Sequence, residues 1–372
     1  MDSKFDFESY KYDLPADQIA QFPAKVRNKS RLFVIDRRDG SMQHMNFTDI
    51  LDFLQDGDLL VINDTKVFPA RLEGKKDTGG KVELFLLEYP DFSNVSKIKK
   101  PTDQTVTQNT YCLTVKGLLK SSKRPKVGSQ LFFSSAVEGQ LLQFLADGKA
   151  LVKLCFNIVN DESPEEILKQ CGRVPLPPYI RRDEKDHPDD PERYQTLFAD
   201  KPGAIAAPTA GLHFSEKLLN ELKKRNIQVA PITLHVGYGT FAPVRVKDIR
   251  QHKIHEEYVE VSTKTAELIN QTQKAGKKIW TVGTTTVRTL EYAATEKGLI
   301  EAKQGWCDLY IYPGYKFKTV NALITNFHLP GSSLLFLVSA LAGRSNILRA
   351  YKKAIQLGYR FYSYGDAMLI IT

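Results

Sequence analysis

Three times along the chain a short apolar run ends in a loop of small and polar residues, and a helix-period pattern follows. The arrangement occurs at "AIAAPTAGLHFSEKLL", at "KIWTVGTTTVRTLEYAA" and at "VNALITNFHLPGSSLLFLVSALAG". Strand, loop, helix in that order is the unit of an α/β domain. Each helix has an N-cap candidate: Ser215, one of Thr284 to Thr286, and Ser332 or Ser333. In the first helix Leu218, Leu219 and Leu222 keep helical spacing, and Lys223, Lys224 and Arg225 suit its C-terminal end. A fourth loop, "HVGYGTFAPV", follows the run "ITL".

From Lys66 to about Phe156 the period changes to two. "KVELFLLE", "YCLTVKG", "SQLFF", "QLLQFL" and "ALVKLCF" alternate, and turns such as Thr78–Gly79–Gly80 and Asp147–Gly148 separate them. This predicts a small all-β barrel over 66–156, inserted into a discontinuous α/β domain of 1–65 and 157–372. The polar linker "YPDFSNVSKIKKPTDQTVTQN" inside it reads as a loop. In open α/β sheets ligands bind beyond the C-terminal strand ends, where loops meet helix starts. The four polar loops are therefore expected to converge on one site, in a cleft beside the inserted unit.

Composition adds class and partner. With 372 residues and 42% hydrophobic content the chain can build two cores. The longest apolar run, Leu334 to Leu341, is too short for a membrane span, and the acidic N-terminus does not read as a secretory signal. Four scattered cysteines without a CxxC pair suggest free thiols in a reducing, cytoplasmic setting. A net charge of +9 reads either as a solvated basic surface or as the footprint of an anionic partner such as nucleic acid.

The loops carry the candidate chemistry, each beside a plainer reading. Gly283, Thr284 and Thr285 at a helix start favour a carboxylate or phosphate, with Arg288 one turn inside; simple capping is the alternative. Asn326, Phe327 and His328 offer an acid or base and a stacking ring, or a loop histidine and a core phenylalanine. His213 in "PTAGLHF" and Asp366 in "YSYGDAM" are acid/base candidates, or a backbone-bonded histidine and a turn aspartate. "HKIHEE" suggests a metal, but on a strand His252 and His255 face opposite sides and no third ligand has recognisable spacing. "GRVPLPPYIRR" is either a linker or a rigid groove wall that sets Arg181 and Arg182 toward phosphates. No Walker A loop is present, and neither a GxSxG elbow nor a GxGxxG follows a strand in the required context.

Taken in order, these stretches resemble one family. "DLPADQIAQFPAKVRNKSRLFVID", "DLLVINDTKVFPARLEGKK", "GRVPLPPYI", "RYQTLFA", "GAIAAPTAGLHFS", "LHVGYGTFAPV", "HKIHEE", "VGTTTVRTLE", "LYIYPGY", "LITNFHLPGSSLLFLVSALAG" and "YRFYSYGDAMLI" are similar to the S-adenosylmethionine:tRNA ribosyltransferase-isomerases of queuosine biosynthesis. The resemblance implies a large α/β domain with a smaller β-barrel insertion. It implies transfer of the ribosyl unit of S-adenosylmethionine to preQ1 at the tRNA wobble position. The ribose is rearranged to an epoxycyclopentane, and adenine and methionine are released. S-adenosylmethionine is then a substrate, with no metal or redox cofactor, and a cytoplasmic monomer is suggested. One stretch, "VKGLLKSSKRPKVG", departs from the family's compact basic turn while keeping Lys116, Lys120, Lys123, Arg124 and Lys126.

Under this resemblance the acid and base come from His213, His328 and Asp366, with His235 in reserve. Thr209, Gly211, Gly237, Tyr238, Thr240, Phe241, Thr284, Thr285, Arg288, Asn326, Phe327 and Ser332 are candidates for holding the substrates, Tyr238, Phe241 and Phe327 by stacking. Arg27, Arg31, Arg71, Lys120, Arg124, Arg181 and Arg182 would face RNA phosphates. A conventional methyltransferase would need a glycine-rich loop after the first strand and an acidic ribose contact, and neither stands in order. A binding protein without turnover would leave the four loops unused.

Overall fold

The computed structural model describes residues 3–99, 109–158, 162–182 and 187–372. The chain divides into two compact units. Met1–Lys66, Pro177–Lys201 and Ala207–Thr372 make the first; Val67–Leu176 and Pro202–Ala206 make the second.

The first unit is built on a mixed sheet. Its strands are β1 (Arg31–Asp36), β2 (Met42–Asn46), β3 (Leu59–Asn63), β13 (Gln228–Leu234), β14 (Glu257–Val261), β15 (Ile279–Val282), β16 (Lys303–Cys307), β17 (Ala322–Asn326) and β18 (Ala367–Ile371). Among the described residues the order is β16-β14-β13-β3-β15-β17-β18-β1-β2. β13, β3, β15 and β17 are parallel, and all five residues of β3, "LLVIN", are buried, as a strand covered on both faces requires. β18 runs antiparallel to β17 and parallel to β1.

Strand alternation sends successive residues to opposite faces and so splits the core in two. Phe33, Ile35, Leu323, Met368 and Ile370 meet α6 (Ser333–Ala342) and α7 (Arg344–Gln356) on one side. Leu32, Val34, Ile324 and Leu369 meet Leu218 and Leu222 of α3 (Glu216–Lys224) on the other. α4 (Thr263–Lys274) and α5 (Thr284–Ala293) also pack on the sheet. Ser215 and Ser332 cap α3 and α6 by accepting from the backbone N–H groups of Leu218 and Leu335. α5 differs from expectation: its N-cap is Gly283, at φ 89°, and no side chain caps it. That conformation is open to glycine and strained for a threonine.

In the second unit lie β5 (Arg71–Lys76), β6 (Lys81–Leu86), β7 (Ser96–Lys99), β8 (Asn109–Ser121), β9 (Gln130–Phe132), β10 (Val137–Phe144) and β11 (Lys149–Ile158). β4 (Thr65–Val67) and β12 (Lys201–Ala204) pair as a separate ribbon. Among the described residues six strands close in the order β11-β10-β9-β5-β6-β8, with the seam between β8 and β11; β7 adds to the outer edge of β8. The linker expected as a loop therefore contains a strand and a turn at Phe92–Asn94, while its residues 100–108 lie outside the described residues. α1 (Pro164–Cys171) inserts Ile167 and Leu168 into the barrel core. α2 (Asp190–Arg193) is a single turn of the first unit.

Two cysteines expected as free thiols are joined. Cys112 and Cys155, far apart in sequence, stand directly opposite each other on the β8–β11 seam, Cα atoms 4.1 Å apart, and form a disulfide. Sequence spacing does not reveal such a pair, because only the strand register brings it together. Cys171 and Cys307 remain free.

Phe336 is fully buried and meets the Tyr10 ring edge-on at 4.7 Å. Phe336→Ala is expected to cost about 3–5 kcal/mol in urea unfolding. Val127→Ala, at a 61% exposed position, should stay within about 0.5 kcal/mol of the parent.

Candidate functional site

The strand directions place three of the four expected loops at one end of the large sheet. The fourth, around Thr209–His213, follows β12, which pairs with β4 outside that sheet, and reaches the same end through the contacts of His213 to Ser30 and Asn326. β3, β13, β15 and β17 end there, and β1 and β18 begin there. Asn63, the last residue of β3, ties the edge together. Its amide nitrogen donates to Leu234 O at 3.0 Å and Thr285 Oγ1 at 3.3 Å, and its oxygen accepts from the N–H groups of Leu234 and Thr65. The signal for Asn63 was the polar "NDT" immediately after an unbroken apolar run, but nothing local says which loops it reaches.

His213 sits in a short helical turn, Thr209–His213, and is 4% exposed. Its Nδ1 is 2.8 Å from Ser30 Oγ and its Nε2 3.2 Å from the amide nitrogen of Asn326. That amide also donates to Tyr362 O, and its oxygen accepts from the Thr209 hydroxyl. The carbonyl fixes the amide's orientation, so Nε2 of His213 accepts and Nδ1–H donates to Ser30. Burial pushes the imidazole down to about 4, against the opposing pull of the Asp366 charge. A small cavity adjoins it, walled in part by Arg27, Arg193, Ser363 and Gly365. Tyr362 holds a left-handed backbone at φ 69°, and a Cβ on Gly365 would sit 2.5 Å from Arg360 O, so this loop admits little substitution. Gly211 is similarly pressed: a Cβ there would lie 2.8 Å from Thr196.

Three expectations change. Asp366 is 2% exposed, and both its oxygens are occupied. It accepts from the backbone N–H groups of Arg31 and Arg360 and pairs with both guanidiniums, at 3.0 and 3.3 Å. It is a structural anion, without a lone pair directed at a ligand. Arg31, expected to face RNA, is engaged by this pair and also donates to Leu357 O and Gly358 O, while its side chain stays 38% exposed. Phe327, expected to stack on a base, is fully buried against Phe33, Tyr351, Tyr359 and Phe361. His328 points inward too. Its Nε2 meets Thr325 Oγ1 at 3.0 Å, its N–H donates to the Tyr351 hydroxyl, and burial drives its pKa to about 3.

A second, narrow cavity opens at the start of α5 and is lined by Thr240, Glu257, Thr284, Thr285, Arg288 and Ser333, with His252 and His255 at its wall. Arg288 is buried and pairs with Glu257, while its other nitrogens donate to Leu309 O and Cys307 O. The second Glu257 oxygen accepts from Gly237 N–H at 2.9 Å. Glu257 was missed because it reads as one of two solvated acids in "HKIHEE"; strand alternation buries it and leaves Glu256 outside. A Cβ on Gly239 would overlap His255, which fixes the turn Tyr238–Phe241 against the cavity wall. Tyr238 is exposed, and the side chain of Phe241 lies outside the described residues. Among the described residues no three His, Cys, Asp or Glu side chains gather as a metal site, and no helix is long and apolar enough to cross a membrane.

His235 follows β13. Its Nδ1 is 2.8 Å from Thr65 Oγ1, and burial and then the Lys201 ammonium lower its pKa. Of the RNA candidates, Arg27 donates to Glu192 O, Arg182 is locked to Asp190 at 2.7 Å over the Phe22 ring, and Arg181 is exposed. In the second unit Lys120 and Arg124 are exposed, Arg124 over Phe144, while Arg71 stands 3.9 Å from Glu83.

An α/β sheet with polar loops gathered at one set of strand ends, and a six-stranded barrel inserted in the chain, is the architecture in which the candidate site lies at those ends. The chain belongs to the queuosine biosynthesis protein family, whose model matches residues 7–370. A relative in Desulfotalea psychrophila named S-adenosylmethionine:tRNA ribosyltransferase-isomerase is 50% identical, covering 100% of this chain and 99% of its own. One of the same name in Staphylococcus haemolyticus is 46% identical over 98% and 99% of the two chains. A crystal structure of S-adenosylmethionine tRNA ribosyltransferase from Thermotoga maritima matches with a TM-score of 0.52 at 32% identity, covering 98% of this chain and 100% of that one.

The buried imidazole of His213 sets a pH dependence. Its folded pKa of about 4 lies below the ordinary 6.5, so the unfolded chain binds the extra proton. Its contribution is complete above pH 6.5 and declines as pH falls toward 4. The urea midpoint should drop across that window, and less steeply in His213→Asn.

Proposed function

We infer that this chain catalyses the reaction for which its relatives are named. It transfers the ribosyl group of S-adenosylmethionine to the aminomethyl nitrogen of preQ1 at the tRNA wobble position. It isomerises the ribose to an epoxycyclopentane and releases adenine and methionine. The observation that carries this reading is the convergence of the family-like loops on one sheet edge, around a helix start that no side chain caps.

The first turn of α5 offers N–H groups and the positive end of the helix dipole, the environment a carboxylate seeks. Thr284, Thr285 and Thr240 would hold the methionine end of the donor there, with Gly237 and the buried Arg288–Glu257 pair forming the neutral wall behind them. Ser332 caps α6, whose next residue, Ser333, borders the same space. Thr209, Gly211 and Asn326 would shape the side toward His213.

The sulfonium acidifies the 5′ carbon of the ribose, so a neutral base is needed to take one proton and leave a sulfur ylide. His235 is favoured. Its Nδ1 is held by Thr65, its Nε2 has no partner among the described residues, and its lowered pKa keeps it uncharged at neutral pH. Departing adenine needs a proton in return. The His235 imidazolium formed in the first step can return it, while His213, uncharged and with both ring nitrogens taken by Ser30 and Asn326, would orient the loop beside the smaller cavity. His328 and Asp366 hold the loops in place. Exposed basic side chains, Lys120, Arg124 and Arg181 among them, would contact tRNA phosphates, which gives binding a steep salt dependence.

Incubation with S-adenosylmethionine and a preQ1-bearing anticodon stem-loop should release free adenine, with a matching mass gain on the RNA. RNA methylation with adenine retained would indicate a methyltransferase, and binding without adenine a non-catalytic RNA-binding protein. In titrations, Arg288→Ala should weaken S-adenosylmethionine binding roughly thirtyfold while changing RNA binding less than about threefold. Equal loss of both would mean that the buried Glu257 pair is only structural.

A further inference from the structure

The face of β13, β14 and β16 away from Leu234 and Val259 carries a row of aromatic rings. Register places Thr233 opposite Glu260 and Tyr258 opposite Trp306, and the His235 N–H donates to Tyr258 O, extending the ladder by one residue. His235, Tyr258 and Trp306 therefore share one face on three adjacent strands. The His235 and Tyr258 planes lie within 17° at 5.7 Å, and Trp306 meets Tyr258 edge-on at 5.9 Å.

The outermost ring is unusual. The chain has two tryptophans: Trp280 is 1% exposed, and Trp306 is 58% exposed on the terminal strand of the sheet. An apolar ring left this open marks a surface that something covers. The row contains no leucine, isoleucine or valine, as a protein-binding patch would. It consists of flat rings with polar edges, on the same face as Glu260 of the Lys201–Glu260 pair. The inner end of the row is continuous with the Tyr238–Phe241 turn that flanks the α5 cavity.

We propose that the His235–Tyr258–Trp306 row is a stacking platform for unpaired bases of the RNA substrate. Neighbouring strands lie about 4.8 Å apart, so a strand of RNA laid across them meets a ring at each step. Aromatic platforms of this kind hold single-stranded loops whose bases are splayed out, with little dependence on sequence. The bases beside the wobble position would occupy Tyr258 and Trp306 while the modified base reaches the His235 end. The proposal rests on the reading of the RNA substrate given above and adds where its loop lies.

Because Trp280 is buried, Trp306 is the tryptophan a bound base can quench. The full chain is titrated with an unmodified, fluorescein-labelled anticodon stem-loop, with binding read by anisotropy and tryptophan emission read in parallel. Emission should fall in step with binding, and a blunt RNA duplex of equal length should bind without that fall. Trp306→Ala should weaken stem-loop binding roughly tenfold. Trp306→Tyr should restore affinity to within about twofold of the parent, with the quenching lost. Binding without quenching, equal quenching by the duplex, or unchanged affinity in Trp306→Ala would each overturn the platform. Adenine release is assayed separately with the preQ1 stem-loop. Quenching without adenine would sink the catalytic reading and leave the platform standing; adenine without quenching would do the reverse.

Discussion

A buried carboxylate needs partners, and Asp366 decides how the sheet edge is assembled. Isolated in the interior, its charge would cost several kcal/mol. Here Arg31 and Arg360 supply two guanidiniums and two backbone N–H groups to it. Arg31 opens β1 and Asp366 immediately precedes β18, so the cluster fixes where both strands begin. Ser30 is thereby brought to His213, and His213 to Asn326 at the end of β17. A chain of polar contacts from β1 to the Thr209–His213 turn follows from one satisfied charge.

The helix starts on that edge divide the labour. α3 and α6 are closed by serine caps, and their first turns are internally satisfied. α5 begins at a glycine whose backbone no other residue adopts easily, and its first turn faces a cavity. The nearby Glu257–Arg288 pair keeps the cavity wall close to neutral, so the helix start supplies a directional attraction for an anion where an unpaired arginine would bind anions broadly.

Much of this was legible in the pattern of apolar and polar positions. The α/β order, the inserted barrel and the caps Ser215 and Ser332 follow from local periodicity, and the loops after β13, β15 and β17 from the rule for strand ends; that the Thr209–His213 turn follows a strand outside this sheet does not. What escaped depends on partners distant in sequence. Asp366 reads as a turn residue until Arg31, 335 positions away, is placed beside it. Phe327 and His328 stand in a polar loop, yet tertiary packing turns both inward. The Cys112–Cys155 pair exists only once the β8–β11 register is known. Gly283 took the cap position from three threonines because the backbone angle there outweighs a hydroxyl.

Trp306 sits on β16, where the sheet ends and, among the described residues, one row of backbone donors and acceptors has no neighbouring strand. An edge that also bears a large aromatic ring invites another chain to add a strand and propagate into aggregate. Gly305, immediately before it, has φ 142°, outside the regular pleat, and with no side chain there the strand can bend. The irregular backbone makes β16 a poor template for a further strand while leaving the ring of Trp306 on display. A surface that must stay sticky to a flat ligand is in this way kept from being sticky to copies of itself.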